Sequence, residues 1–527
     1  MTLSYLPFAS APMLLLTPPD SHLLTFLEEA HRLVDSEPSI LAAINADLDA
    51  HGKRKKALRL ADQRWAEARS QALPGPAQPE DPIDPTTLTL GVGRPRTHAY
   101  VVLMFLLLRG YAGGFKVCEV TTLMMESITV LLFLHHRGIT MPGRSTLTEL
   151  VNAVRNATRS LLLDAQVRQA LGDGVDDFRV MLQDSTAVEG NASWPTDSRT
   201  LVALVARMIR VGAALDRVGL SVVEVHRARV LLAAMEILDR EIDLATGERK
   251  GAGKKVERAR TRRRRYQKLL AHAKEAHAVL TTALQVVRTE CAALDVAPSR
   301  RAMAERAVQR LSDDLATLAK VIENCTRRVI GGEKVAMADK VLSTSDPDVG
   351  FIAKGQRDPV IGYKPQLARS GAGFITGLLL PRGNASDSGQ LGPMFAEVKR
   401  RTTVTPTIVS LDDGYASAAN MALLTAEKVA VKSINGSKGK KLTATRDWNR
   451  DEYVEARDLR SAVESLMFTI KQGFGFGVVA RRGLENVYAE LLEKALAYNL
   501  CQRARIRFAR SQRERVVEDP LDDALAA

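Results

Sequence analysis

At 527 residues the chain exceeds one ordinary domain, and its 46% apolar content excludes a disordered or fibrous protein. The formal charge of +13 at pH 7 favours a polyanionic partner, because each phosphate contact releases condensed counterions. Cys118, Cys291, Cys325 and Cys501 form no CxxC pair and the nine histidines show no zinc-like spacing, which argues against a disulfide scaffold or a zinc centre.

Taken in chain order, Met1–Leu16 is apolar but lacks a basic n-region and a cleavage site, so it is not read as a signal peptide. Periodic apolar positions (Leu23, Leu24, Leu27, Ala30, Leu33) predict helix over 19–72, followed by a breaker-rich linker at Pro74–Pro85. From Gly93 to about Leu171 the pattern is again helical, with breaks at Gly110–Gly114 and Pro142–Gly143. The apolar runs Tyr100–Leu108 and Ile128–Leu134 are too short to span a bilayer and belong in a core. A soluble, cytoplasmic protein without membrane contact is expected.

The stretch from Phe178 to Asp184 is short, apolar and ends on an acid, which suits a buried strand. Residues 198–328 return to helix, highly charged and almost free of aromatics; with breakers mainly at Gly247–Gly253 and Pro298, three long helices are predicted. Strands are predicted at Val349–Ala353, Ile361–Leu367 and Phe374–Leu380, the last two forming a hairpin. Then come a helix near Gly389–Arg400, a strand at Thr407–Leu411, a helix at Ala416–Ala426, a strand at Val429–Ile434 and one long helix over about Asp451–Ile470. The order is that of a mixed α/β sheet flanked by helices.

Three acids fall where chemistry usually sits. Asp184 ends the first strand, and Asp412 follows the strand at Thr407–Leu411, ahead of an Asp-Gly-Tyr turn. On the long helix Arg460, Glu464 and Lys471 lie within roughly 40° of one another, beside an apolar stripe of Val463, Leu466, Met467 and Ile470. Two strand-end carboxylates and one from a covering helix can hold Mg²⁺ or Mn²⁺, two ions being expected, with Arg460 and Lys471 on DNA phosphates. Each piece also has a plainer reading: a strand-end Asp is commonly a turn former, and an Arg–Glu pair at i,i+4 a solvated face.

Several motifs resemble bacterial insertion-sequence transposases of the DDE class, those with a Tyr-Arg-Glu-Lys signature. They are Asp184-Ser-Thr-Ala-Val-Glu189 with Pro195-Thr-Asp-Ser198, Lys354-Gly355, Gly362-Tyr363-Lys364, Gly383-Asn384 with Asp387-Ser388, Asp412-Asp413-Gly414-Tyr415, and Arg460-x3-Glu464-x6-Lys471. The signature's Tyr position is Arg457 here, with Tyr453 one turn earlier on the same predicted face. Gly93-Arg-Pro-Arg96 and Gly143-Arg-Ser-Thr-Leu147 resemble the family's helical DNA-binding region.

The resemblance implies an RNase H-like catalytic domain split into 173–197 and 336–510. A helical DNA-binding region (86–172) and a helical insertion (198–335) accompany it, with an N-terminal helical region (1–85) of no assigned role and a tail (511–527). It implies Asp184, Asp412 and Glu464 as catalytic and metal-binding residues, and Lys364 with Arg460 and Lys471 as DNA contacts. Element ends and target DNA would be the partners, bound by a homodimer. The basic run Arg262, Arg263, Arg264 and Arg265 suits a DNA backbone or a solvated helix face. A nuclease or resolvase that cuts without joining, or a catalytically silent DNA-binding descendant, are the rival functions. Glu189 and Asp387 suit supporting acids or turn formers equally, and Asn435–Lys441 a phosphate grip or a hairpin tip.

Overall fold

The computed structural model describes residues 18–71, 82–90, 98–114, 116–192, 196–220, 224–246, 252–353 and 358–518. Met1–Leu16, most of the Pro74–Pro85 linker, Gly93–Arg96, Pro195, residues 247–251, Lys354-Gly355 and the end of the tail lie outside them.

The N-terminal part is α1 (Pro18–Ser36), α2 (Ser39–Gln71), α3 (Ala99–Tyr111), α4 (Val117–Glu126), α5 (Ile128–His135), α6 (Arg144–Ala153) and α7 (Asn156–Gly172). Apolar residues spaced three and four apart on α1 (Leu23, Phe26, Leu27, Ala30, Leu33) form its buried face. α3 is buried on every side from Ala99 to Gly110, which explains its lack of a polar stripe. Its single charge, Arg109, faces Glu493 at 3.7 Å. Among the described residues no single helix is long and apolar enough to cross a membrane; α4 and α5, bent by 71°, pass that test only as a pair.

Strand β1 (Val180–Ser185) leads through Thr186-Ala187 to the short β2 (Val188–Glu189), which the sequence pattern does not signal. The insertion follows as α8 (Asp197–Asp216), α9 (Glu224–Thr246), α10 (Ala252–Ala293) and α11 (Pro298–Cys325). Its described residues form these four long helices where the sequence pattern predicts three, because the chain also breaks after α8, where Gly219 adopts φ 92°. Among its described residues there is no strand, and it buries a separate apolar core including Leu204, Met208, Leu269, Leu280, Leu311 and Leu318.

Next come β3 (Gly350–Ile352), β4 (Val360–Tyr363), β5 (Gln366–Arg369), β6 (Ile375–Leu379), α12 (Leu391–Thr402), β7 (Ile408–Leu411), α13 (Ala418–Ala426) and β8 (Val431–Ile434). The five-stranded mixed sheet has order β6-β5-β1-β7-β8, with β1, β7 and β8 mutually parallel and β5 antiparallel to its neighbours. A second sheet has order β2-β4-β3. The single strand expected over Ile361–Leu367 is therefore two strands in different sheets. Pro365, which has no N–H to give a ladder, separates them, and its carbonyl accepts from Thr186 N at 3.1 Å.

The C-terminal part is α14 (Ser437–Leu442), α15 (Thr445–Trp448), α16 (Asp451–Asp458), α17 (Arg460–Gly473) and α18 (Leu484–Glu518). The predicted Asp451–Ile470 helix breaks at Leu459, where Ser461 Oγ donates to the carbonyl of Asp458 and competes with the helical bond. Asn435–Lys441 is not a hairpin tip: after Gly436 (φ 107°) it turns into α14. The last helix runs beyond Leu500 to Glu518. α18 shares one apolar cluster with α1 to α3, α7, α17 and the sheet strands, including Leu27, Leu103, Leu162, Leu367, Ile470 and Leu496.

Candidate active site

β1 and β7 run parallel with Val180 opposite Ile408, Met181 opposite Val409 and Leu182 opposite Ser410. Carrying that register two residues on sets Asp184 opposite Asp412 at the carboxyl edge of both strands, where side chains leave the core. Met181, Val409 and Leu411 point the other way, into the core under α12 and α13. The acids thus share the face that α16 and α17 cover.

Asp184 is nearly buried and its Oδ1 accepts the Ser185 N–H at 2.7 Å. Asp412 is half-buried and caps the following turn by accepting from Gly414 N at 2.9 Å. Burial, and next the charge of Asp184, push the Asp412 carboxyl above its ordinary range, while Arg460 and the Gly414 N–H oppose the shift.

Arg460 enters from the first turn of α17. Its guanidinium meets Asp184 Oδ2 at 3.3 Å and Glu464 Oε1 at 3.5 Å, so one side chain touches both. Glu464 itself is 68% exposed. Among the described residues no group of three acids, histidines or cysteines is arranged to hold a metal ion. Lys471, further along α17, donates to the carbonyl of Ala187 in the β1–β2 connection at 3.0 Å.

A polar group beside the aspartates joins Asp387, Lys364 and Tyr415 to Gln366 and Gln183, the two members that no sequence motif marks. Asp387 Oδ1 takes Gln366 Nε2 at 2.8 Å and Lys364 Nζ at 2.9 Å, and Lys364 also reaches the carbonyl of Ala385 at 3.1 Å. Lys364 is thereby committed to Asp387 rather than standing free. Burial raises the Asp387 carboxyl, but the bonds from Gln366 and Lys364 more than offset it and leave it below the usual range. Tyr415 donates to Gln366 Oε1, which also accepts from Gln183 at 3.3 Å. The signal available was Gln366 itself: a glutamine inside an apolar strand must find partners when buried.

Asp413 is not interchangeable with Asp412. Its Oδ1 accepts the N–H groups of Lys438 at 2.9 Å and Gly439 at 3.0 Å, fastening α14 to the end of β7. Tyr453 does not stand beside Arg460; it is buried with Ala456 against Val431 of β8. Arg457, in the signature's Tyr position, stacks on Trp448 at 4.3 Å and donates to its carbonyl. Glu189 lies in β2, exposed, its backbone paired with Gly477 and Val479. Arg262 to Arg265 lie on α10 in the insertion and, at about 100° per residue, point in four directions rather than along one face.

Residues 345–500 match the family model of the transposase DDE domain. The match covers Asp412, Glu464 and every strand from β3 to β8, under a third of the chain, and begins downstream of Asp184 and the insertion. It supports a DDE transposase family, and with it an enzyme that acts on DNA. No curated protein and no solved structure matches the chain significantly.

Proposed function

We propose that the chain is a DNA transposase of the bacterial insertion-sequence type, with an RNase H-like catalytic domain. It hydrolyses a phosphodiester at element ends to free a 3′-hydroxyl, then directs that hydroxyl at a target phosphodiester. The observation that carries this reading is the pairing of Asp184 and Asp412 on adjacent parallel strands beneath the Arg460–Glu464 turn of α17.

The donor set suits Mg²⁺ or Mn²⁺: oxygen ligands only, two of them partly buried carboxylates whose mutual repulsion a divalent cation relieves. Asp184 and Asp412 would hold the ions, with Glu464 joining from its exposed position. Bound there, such ions activate the attacking oxygen and stabilise the leaving one. Arg460 orients Asp184 through their 3.3 Å contact and stands where a scissile phosphate would sit. Lys471 fixes the β1–β2 connection and lies on the same helix face. Lys364 orients Asp387, which with Gln366 and Tyr415 makes a rigid floor under the aspartates.

The test is cleavage of a duplex carrying the inverted repeats that flank the gene, with Mg²⁺ or Mn²⁺. D184N, D412N and E464Q should each abolish cleavage while leaving DNA binding nearly intact. Joined products with a target plasmid distinguish transposition from a nuclease or resolvase; metal-independent binding without cleavage by the wild type would mark a silent descendant and defeat the proposal. A homodimer on paired ends is expected in the DNA complex.

A further inference from the structure

An open cleft of about 670 Å³ lies where α10 faces the chain leaving α11. Five cations line it: Arg262 and Arg263 from α10, Arg328 from the turn after α11, and Lys334 and Lys340 from the segment leading to β3. Only two acids, Asp197 and Glu333, face it. Both are already paired, Asp197 with Arg328 at 2.8 Å and Glu333 with Arg327 at 2.8 Å. Arg263 donates to the carbonyl of Ile330 at 2.8 Å. Among the described residues Arg262, Lys334 and Lys340 have no ion pair, and Arg262 is held over the Tyr266 ring at 5.7 Å.

Like charges gathered in a cleft repel one another, and a solvated helix face does not need charges from a second segment converging on it. Residues 60 to 80 positions apart in sequence supply this cleft from two sides. A five-residue π-helical turn, Thr326–Ile330, sets Arg328 and Val329 in its wall; such turns depart from regular helix at some cost and recur at functional sites.

We infer that this cleft binds the phosphate backbone of duplex DNA, with Arg262, Lys334 and Lys340 as its three uncompensated contacts. The inference rests on the transposase reading and deepens it. The insertion holds DNA through a cleft built jointly by α10 and the return segment to β3, not through the arginine run as a stripe. Arg264 lies outside the cleft, and Arg265 is tied to Glu241 on α9 at 2.9 Å. No base-reading group is required of such a site, so its contribution is independent of sequence.

The experiment measures affinity of the full chain for a 30-base-pair duplex of arbitrary sequence (about three helical turns) between about 50 and 200 mM salt. Each phosphate contact contributes about 0.9 to the slope of log affinity against log salt, so R262Q/K334Q/K340Q should flatten it by about 2.7. Over that fourfold range the wild type should then lose about 40-fold more affinity than the variant. R300Q/R306Q/R310Q removes the same charge from the exposed face of α11 and should flatten the slope less. Equal flattening by both variants, or none by the cleft variant, overturns the inference. Should the triple variant fail to fold, K334Q and K340Q singly should each lower the slope by about 0.9. A wild type that binds no duplex at 50 mM salt removes the transposase reading itself, whereas binding with an unaltered slope removes only the cleft.

Discussion

Asp412→Asn should stabilise the protein without metal and cost it its response to metal. Adjacent strands lie about 4.8 Å apart, so two carboxylates in register at ~5 Å repel by about 3 kcal/mol at an effective dielectric of 20. Arg460, 3.3 Å from Asp184, cancels part of this, leaving on the order of 1 kcal/mol. In EDTA, D412N should therefore unfold about 1 °C above the wild type, since unfolding all 527 residues carries an entropy of about 1.1 kcal/mol per kelvin. Folding raises the Asp412 pKa, so the wild-type penalty exists while the group is ionised. The gap should close as pH falls through that raised value toward the ordinary carboxylate range. Addition of Mn²⁺ at about 100 times its dissociation constant should stabilise the wild type by about 2.7 kcal/mol and leave D412N and D184N nearly unchanged. Thermal unfolding with and without Mn²⁺ reads both effects. If D412N melted below the wild type in EDTA and answered Mn²⁺ equally well, the two aspartates would not form a repelling pair that a cation relieves.

Asp413→Ala should raise KM for DNA cleavage several-fold with kcat little changed, because α14 loses its cap, and Asp413→Asn should restore it by keeping the acceptor; an inactive D413N would make Asp413 a reacting group. Asp164 joins α7 to Arg400 and to the fully buried Arg401 of α12 at 2.8 and 2.6 Å. Burial raises its carboxyl, but the two arginines outweigh that and hold it below the ordinary value. The stability it contributes is present above about pH 4 and lost as pH falls through the depressed value. D164N should thus be destabilised by about 3 kcal/mol at pH 7 in urea unfolding and converge on the wild type in acid. Glu493→Gln should cost about 3–5 kcal/mol in the same assay, since it strands the buried Arg109 and Arg159 and the partly buried Arg481.

Elements with a strong local signal were readable from the sequence: the apolar α3, the strands ending at Asp184 and Leu411, the β5–β6 hairpin and the α17 row. The misreadings occur where tertiary partners decide. Ile361–Leu367 reads as one apolar run because both halves are buried, and only the missing N–H of Pro365 hints that they belong to separate sheets. The α16–α17 break depends on Ser461 taking a carbonyl, which helical periodicity does not register. Arg460, Glu464 and Lys471 were correctly placed on one face, yet their partners differ: Arg460 reaches Asp184, while Lys471 takes the Ala187 carbonyl. Asp387 was legible as a supporting acid or a turn former and Tyr415 as part of a motif, but Gln366, which joins them, was not, because the three come from segments that only the sheet brings together.

The position of α17 over the aspartates is itself set from the helical half. The segment leaving α17 carries Gly475 at φ 60°, where a Cβ would come within 2.3 Å of the Gly113 carbonyl. Lys494 of α18, fully buried, donates to the carbonyls of Gly475 and Val478 at 2.8 Å and pairs with Glu490. Glu490 in turn accepts the N–H groups of Ala480 and Arg481. One turn on, Glu493 gathers Arg159 of α7 at 2.9 Å, Arg481 at 3.0 Å and Arg109 of α3 at 3.7 Å. Burying so many charges is a poor route to stability, since well-packed apolar groups would do as well, but each has one geometry that satisfies it. The network therefore fixes where the segment after α17 leaves the core, and Val478 and Val479 of that segment pair with Glu189 in β2, four residues beyond Ser185. Arg460 and Asp184 thus meet because α17 is anchored at its far end by α18 and, with it, by α3 and α7, which precede β1 in the chain.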